Sequence, residues 1–286
     1  MITKFIAEIG SNHNQDLTRT RQLIDKAKEI GCWGVKFQLF RAEQLYAPEF
    51  KSQINKMKKW ELPISYIEQI KIKCQDLDLK FICTPFDLTA VKILEPYVDY
   101  YKIRSYENQW EDLIATVAAT NIPWMISLGM TTIKDILYYN LIWTKLYHSN
   151  SNLPIIVFHC NSNYPAIPEN CNLNYIRDLK DIFSLVGWSD HTVEPGIIYK
   201  AIAFGAQYIE FHFDLENMLG FESEVGHCWA PNKIKQVIHN VKIGELAEAE
   251  TDTNESQASK WRTDPEDGLR PLKEFRKELL NDPNAD

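Results

Sequence analysis

Short apolar runs alternate with amphipathic stretches almost from one end of the chain to the other. The first run, Phe5-Ile6-Ala7, leads to Glu8. It is followed by Leu23, Ile24, Ala27 and Ile30 on one helical face, with Gly31 where a C-cap belongs. A second run covers 33–39. Ile67, Ile70, Cys74 and Leu77, spaced by threes and fours, predict another helix, and Lys80-Phe81-Ile82-Cys83 predicts a third strand ending at Thr84-Pro85. Tyr100–Ile103, Trp124–Ser127, 155–159, 184–187 and 207–211 complete eight strand candidates, each separated from the next by helix-like sequence.

Runs that are apolar on both faces imply parallel strands, because crossover helices cover both sides of a parallel sheet. Eight of them in alternation favour an α/β fold of the (β/α)8 TIM-barrel type over an open doubly wound sheet. The polar residues decide the matter. Glu8, Lys36, Gln38, Thr84, Lys102, Ser105, Ser127 and His159 all fall inside or just after a strand, toward its C-terminal end, where barrel enzymes keep their chemistry. No GxGxxG follows the first strand, which weighs against a dinucleotide-binding fold. The long connection 40–62 carries Tyr46, Phe50, Met57 and Trp60 and either covers the barrel mouth as a lid or packs against its side. From about Glu245 the composition turns polar. The expected division is therefore a barrel domain over 1–247, then a polar linker and short C-terminal tail over 248–286.

Composition adds exclusions. With 31 Lys+Arg against 39 Asp+Glu the 286-residue chain carries a net charge of −8 and has no basic run, which argues against nucleic acid as a partner. No apolar stretch approaches the roughly 20 residues of a membrane span, and the start lacks the pattern of a signal peptide, so a cytoplasmic protein without a membrane partner is expected. Six cysteines without a CxxC pair fit buried, reduced thiols.

Two histidines stand out. His191 follows the seventh strand and His212 ends the eighth, so a closed barrel makes them neighbours on one rim. Such a pair suits a divalent transition metal and leaves positions open for substrate oxygen, with Asp190 and Glu210 as supports. Lys36 and Lys102 lie among apolar neighbours and need a partner if they point inward. That partner is either an anionic ligand, held with Ser105, Ser127 and Ser189, or a carboxylate such as Glu8 or Glu107. No Ser-His-Asp or reactive-cysteine pattern is present.

Ala7-Glu8-Ile9-Gly10-Ser11-Asn12-His13-Asn14, Val35-Lys36-Phe37-Gln38, Cys83-Thr84-Pro85-Phe86-Asp87, Tyr101-Lys102-Ile103 through Glu107, Ser127-Leu128-Gly129-Met130, His159-Cys160 with Tyr164-Pro165, Ser189-Asp190-His191-Thr192 and Glu210-Phe211-His212 resemble, in order, the motifs of the sialic acid synthase (N-acetylneuraminate synthase) family. The resemblance covers about 4–245. It implies condensation of phosphoenolpyruvate with an N-acetylmannosamine-like aldose, giving a 2-keto-3-deoxy sugar acid. It implies a divalent metal on His191 and His212, typically Mn2+, with Mg2+ or Co2+ as alternatives, and a homodimer. By the same resemblance Glu8, Lys36, Lys102 and Glu107 are catalytic. Gln38, Thr84, Ser105, Ser127, Ser162, Tyr164, Ser189 and Glu224 bind substrate.

The chain also departs from the family pattern. Arg104 and Tyr106 flank the fourth-strand serine where small residues are usual, Phe211 replaces a lysine, and Gln15 stands where a glycine is usual. Only about forty residues follow the barrel, in place of the family's C-terminal antifreeze-like domain. Two rival readings are a different metal-assisted sugar aldolase or isomerase and a catalytically silent sugar-binding barrel.

Overall fold

Each of the eight apolar runs is a strand. The computed structural model describes residues 2–132, 134–138 and 155–247. The strands are β1 (Lys4–Gly10), β2 (Gly34–Leu39), β3 (Lys80–Pro85), β4 (Tyr100–Ile103), β5 (Trp124–Ser127), β6 (Ile156–Cys160), β7 (Leu185–Asp190) and β8 (Tyr208–His212). They pair in parallel and in chain order, and β8 closes on β1, making a closed barrel. The closing register sets Ile6 opposite Glu210 and Glu8 opposite His212. Helices fill the crossovers, among them α1 (Leu17–Glu29), α4 (Ile67–Asp76), α5 (Leu88–Leu94), α6 (Glu111–Ala119), α7 (Tyr175–Lys180) and α8 (Pro195–Ala203), and α9 (Pro231–Ala247) follows β8. The 248–286 segment expected to form a linker and tail lies outside the described residues.

The two-residue period of a strand explains the split between packing and chemistry. Inward positions near the strand starts, Ile6, Ile82, Met125, Ile156, Phe158 and Tyr208, form a small apolar plug with Trp33, Tyr100 and Leu185. Two residues further along the same inward faces stand Glu8, Thr84, Lys102, Ser127, Cys160 and Glu210. The outward positions, such as Phe37, Phe81, Val186, Trp188 and Phe211, join Leu23, Ile24, Ile70, Leu113 and Ile198 of the helices in the main core. Phe211 is thus an outward core residue, edge-to-face with Phe213 at 6.1 Å between centroids. His159 also faces outward. Its Nε2 lies 2.8 Å from the Cys171 carbonyl and its ring packs on Trp188, so this histidine serves the wall of the barrel.

Strand ends differ from the sequence expectation at the rim. β7 continues through Trp188-Ser189-Asp190, because each of those polar groups is satisfied inside the protein. Asp190 alone accepts from Trp188 Nε1, Thr192 Oγ1, Trp229 Nε1 and the Val193 amide. The 40–62 connection forms two short helices, α2 (Ala42–Leu45) and α3 (Lys51–Lys58). It is tied to the rim by Ser11 Oγ, which donates to the Trp60 carbonyl at 2.9 Å, and by the stacking of Trp60 on Phe221.

Gly10, the last residue of β1, and Gln15 shortly after it both have left-handed backbone, with different consequences. Gln15, at φ 53°, tolerates the strain that a glycine would avoid because its amide donates to the carbonyls of Lys58 and Glu61. Gly10, also at φ 53°, has no such latitude: a Cβ there would overlap the carboxylate of Glu222. Gly10→Ala is therefore expected to destabilise the fold by about 1–3 kcal/mol in a urea melt. Gln15→Gly should change the same midpoint much less, since it relieves strain while losing hydrogen bonds. Equal midpoints for Gly10→Ala and wild type would contradict the close approach of Glu222.

Candidate active site

The C-terminal ends of the strands enclose a cavity of about 280 Å³. Its floor is ionic. Lys36 Nζ lies 3.1 Å from Glu8 Oε2 and 3.4 Å from Glu210 Oε1, and Lys102 Nζ lies 2.9 Å from Glu210 Oε2. Gln38 Nε2 donates to Glu8, Ser189 Oγ donates to Glu210 Oε1 at 2.8 Å, and the Lys102 ammonium sits 3.8 Å from the centre of the Phe158 ring. Both lysines therefore have carboxylate partners. The shared partner is Glu210, two residues before His212 on the same inward face.

Burial and charge pull these groups apart. Burial pushes the Glu8 carboxyl up to about 7, only partly offset by Lys36. Burial acts on Glu210 in the same sense, but Lys102 and Lys36 outweigh it and hold this carboxyl well below the usual carboxylate range. Burial would lower Lys36, yet Glu210 and Glu8 together keep it above the ordinary lysine value. Lys102 is lowered, burial and its neighbour Lys36 outweighing Glu210.

Three imidazoles form the wall on the β8 side. His191 and His212 have ring centroids 5.3 Å apart, and His227 lies 4.4 Å from His212. Burial, aided by neighbouring positive or imidazole groups, lowers all three to about 3, so they are neutral at physiological pH. His191 Nδ1 donates to the Asn161 carbonyl at 2.6 Å, and His212 Nδ1 donates to Glu222 Oε2 at 2.7 Å. A neutral imidazole that donates through Nδ1 keeps its Nε2 lone pair for a cation. The donor set thus fits a divalent transition metal. Glu222 is itself fixed, since its Oε1 accepts from the Ser11 amide at 2.7 Å and its own amide donates to Asn12 Oδ1.

Most residues singled out in the sequence meet here. Thr84, buried with its hydroxyl unpaired among the described residues, lines the cavity together with Ser105, Ser127, Ser162 and Tyr164. Two do not meet it. Glu107 is bound through both carboxylate oxygens to Arg104 and lies outside the lining, and Arg104 takes its place at the mouth, stacked 4.1 Å from the centre of the Phe86 ring. Glu224 is exposed on a short turn, whereas Glu222, two residues earlier, is buried in the wall. The register of that loop had no strand pattern to fix it. Trp60, from the 40–62 connection, also reaches the lining. All six cysteines are buried free thiols.

A closed barrel with buried ionic groups and unprotonated histidines at the C-terminal rim is the build of a (β/α)8-barrel enzyme. The chain belongs to the NeuB family, whose model matches residues 23–253. It is 33% identical over 234 residues to the N,N'-diacetyllegionaminic acid synthase of Campylobacter jejuni, covering 76% of this chain and 70% of that one. To the enzyme of the same name from Legionella pneumophila it is 31% identical, covering 84% and 71%. Among solved structures, the N-acetylneuraminic acid synthetase of Leptospira borgpetersenii superposes with a TM-score of 0.80 at 25% identity, covering 92% of each chain. Among the described residues no helix is long and apolar enough to cross a membrane.

The raised Glu8 carboxyl carries a pH signature. Its value moves from 4.5 to about 7 on folding, so the folded chain holds this proton more tightly than the unfolded chain. That contribution is complete below about pH 4.5 and is lost as pH rises to about 7. Relative to wild type, Glu8→Gln should be more stable at pH 8 than at pH 5 by roughly 1–3 kcal/mol. Urea denaturation at the two pH values measures the difference, and an identical offset at both would refute a buried, proton-retaining Glu8.

Proposed function

We propose that the chain joins phosphoenolpyruvate to the aldehyde carbon of an open-chain, N-acetylmannosamine-like aldose, forming a 2-keto-3-deoxy sugar acid and inorganic phosphate. The catalytic unit in this reading is 1–247. One observation carries it: two buried lysines and two neutral, Nδ1-anchored histidines face the same cavity at the C-terminal rim. Lysines in such a place suit the carboxylate and phosphate of phosphoenolpyruvate. The family membership and the names of the relatives support the same reaction class.

Lys36 and Lys102 bind the anionic groups, helped by the hydroxyls of Ser105, Ser127 and Ser189, and Thr84 offers an unpaired hydroxyl to the same ligand. This binding also rearranges the floor: an incoming dianion competes with Glu8 and Glu210 for the ammonium groups. Glu8, already close to half-protonated near neutrality and hydrogen-bonded by Gln38, can take or give a proton as that happens. His191 and His212 would hold a divalent ion, which when bound polarises an aldehyde oxygen as a Lewis acid; Mn2+, Mg2+ and Co2+ are the candidates from the family resemblance. Tyr164, packed 4.1 Å from His191 between ring centroids, and Glu222 sit on the sugar side. Carbon 3 of phosphoenolpyruvate forms the new bond to the aldehyde carbon, water adds at carbon 2, and the bond from carbon 2 to the bridging oxygen breaks, so phosphate leaves with that oxygen. Glu107 receives no proton-transfer role, because Arg104 occupies both its oxygens.

Phosphate release from phosphoenolpyruvate, measured across a panel of free and phosphorylated N-acyl aldoses, is expected to depend on one class of aldose. Lys102→Met should lower kcat/KM by at least about a hundredfold, the scale of losing a charged donor at a reacting centre. With bridging 18O in phosphoenolpyruvate, the label is expected in the phosphate. Aldose-independent release or none would discard the synthase reading, and label retained in the keto acid would discard the cleavage step.

A further inference from the structure

We propose that His227 is a third imidazole donor to the cation assigned above to His191 and His212, giving this chain a centre that prefers the cobalt, iron and zinc class of divalent ions over manganese and magnesium. The proposal rests on the two-histidine reading of the same site and adds a ligand to it.

The position of His227 is built. Gly226, at φ 89°, ends a short turn and directs the chain back to the rim. The following residues are then pinned beside β8. The Trp229 amide donates to the His212 carbonyl at 2.8 Å, Trp229 pairs with Phe213 as an added bridge, and Trp229 Nε1 donates to Asp190, the neighbour of His191. Cys228 is held by Asn12 Nδ2 at 3.4 Å. His227 is thus braced by both other histidine-bearing segments.

Its side chain has no other employment. The residue is 4% exposed, its Nδ1 is buried without a hydrogen-bond partner among the described residues, and its Nε2 lies 3.9 Å from Glu222 Oε2, beyond hydrogen-bond length. Donor atoms of His212, Glu222, His227 and Cys228 lie within 4.8 Å of one another, and His191 adjoins this group through its ring contact with His212, 5.3 Å between centroids. The Tyr164 ring touches all three imidazoles, at 4.1 Å from His191, 5.5 Å from His212 and 4.9 Å from His227 between centroids. The three rings therefore border one space. A buried imidazole nitrogen without a partner, as Nδ1 of His227 is, is costly unless one arrives, and a cation shared with its neighbours is the partner this surrounding supplies. Glu222, bound to His212 Nδ1, acts as the orienting carboxylate. Adding imidazole to a site raises affinity for ions late in the first transition row more than for Mn2+ or Mg2+, which take oxygen ligands readily.

Metal alone is the probe, with the full chain and no substrate. Titrating wild-type protein with Co2+ and with Mn2+, by calorimetry and visible absorption, is expected to show one ion per chain and tighter binding of Co2+. His227→Ala should weaken Co2+ binding by at least about tenfold, shift the cobalt absorption bands and narrow the preference over Mn2+. His239→Ala, on the exposed face of α9, should leave all three unchanged. His227→Gln repeats the measurement with a side chain of similar reach, and circular dichroism checks that the variants fold. Wild-type Co2+ affinity and spectrum in a folded His227 variant, with binding lost in His191→Ala and His212→Ala, would overturn the third ligand and leave the two-histidine centre standing. Co2+ binding that survives His191→Ala and His212→Ala would overturn both.

Discussion

Four buried charges at the floor of the barrel constrain everything above them. Glu8, Lys36, Lys102 and Glu210 come from β1, β2, β4 and β8, and each would be expensive to bury alone. They are tolerable because the barrel closes. Only the pairing of β8 with β1 brings Glu210, far along the chain, to the lysines that Glu8 alone could not neutralise. The balance is incomplete in one sense: Glu210 serves two ammonium groups while burial raises Glu8 to about 7, so in the proposed reaction the floor accepts an anion by exchanging partners rather than by creating charge.

Much of this was legible in the sequence because strand periodicity is simple. An apolar run with polar residues at its end specifies both a buried parallel strand and the rim it reaches, and that pattern located Glu8, Lys36, Gln38, Thr84, Lys102, Ser105 and Ser127 in the cavity. Glu210 could have been read the same way, as the inward position two before His212. What periodicity cannot reach is the loops. Glu224 and Glu222 differ by two residues in a turn without a period, and only the approach of Glu222 to Gly10 and Ser11 decides between them. His159 misled for a related reason. It ends an apolar run as an active-site residue would, but the alternation from Phe158 turns it outward.

The departures from the family pattern now have separate physical accounts. Phe211 lies on the outward side of β8, where an apolar ring packs in the core. Gln15 keeps the left-handed backbone of a glycine by anchoring the 40–62 connection through its amide. Arg104 and Tyr106 lie at the mouth, where Arg104 stacks between Phe86 and Tyr106 and neutralises Glu107. The first two leave the reacting groups untouched. The third adds a cation and an aromatic ring to the lining of the cavity.

That division ties specificity and chemistry to different supports. The floor depends on strand register, which one-residue slips would destroy, and so it is fixed by the fold itself. The wall depends on loops returning to the rim: Ser11 and Asn12 after β1 hold Glu222, Glu222 orients His212, and Trp229 links Asp190 to the segment that carries His227. Gly10 is the point where the two systems touch, since its missing side chain is what lets the loop carboxylate reach the strand. In the proposed reaction, changes in the loops therefore alter which cation and which sugar the cavity accepts while the lysine and glutamate floor stays as it is.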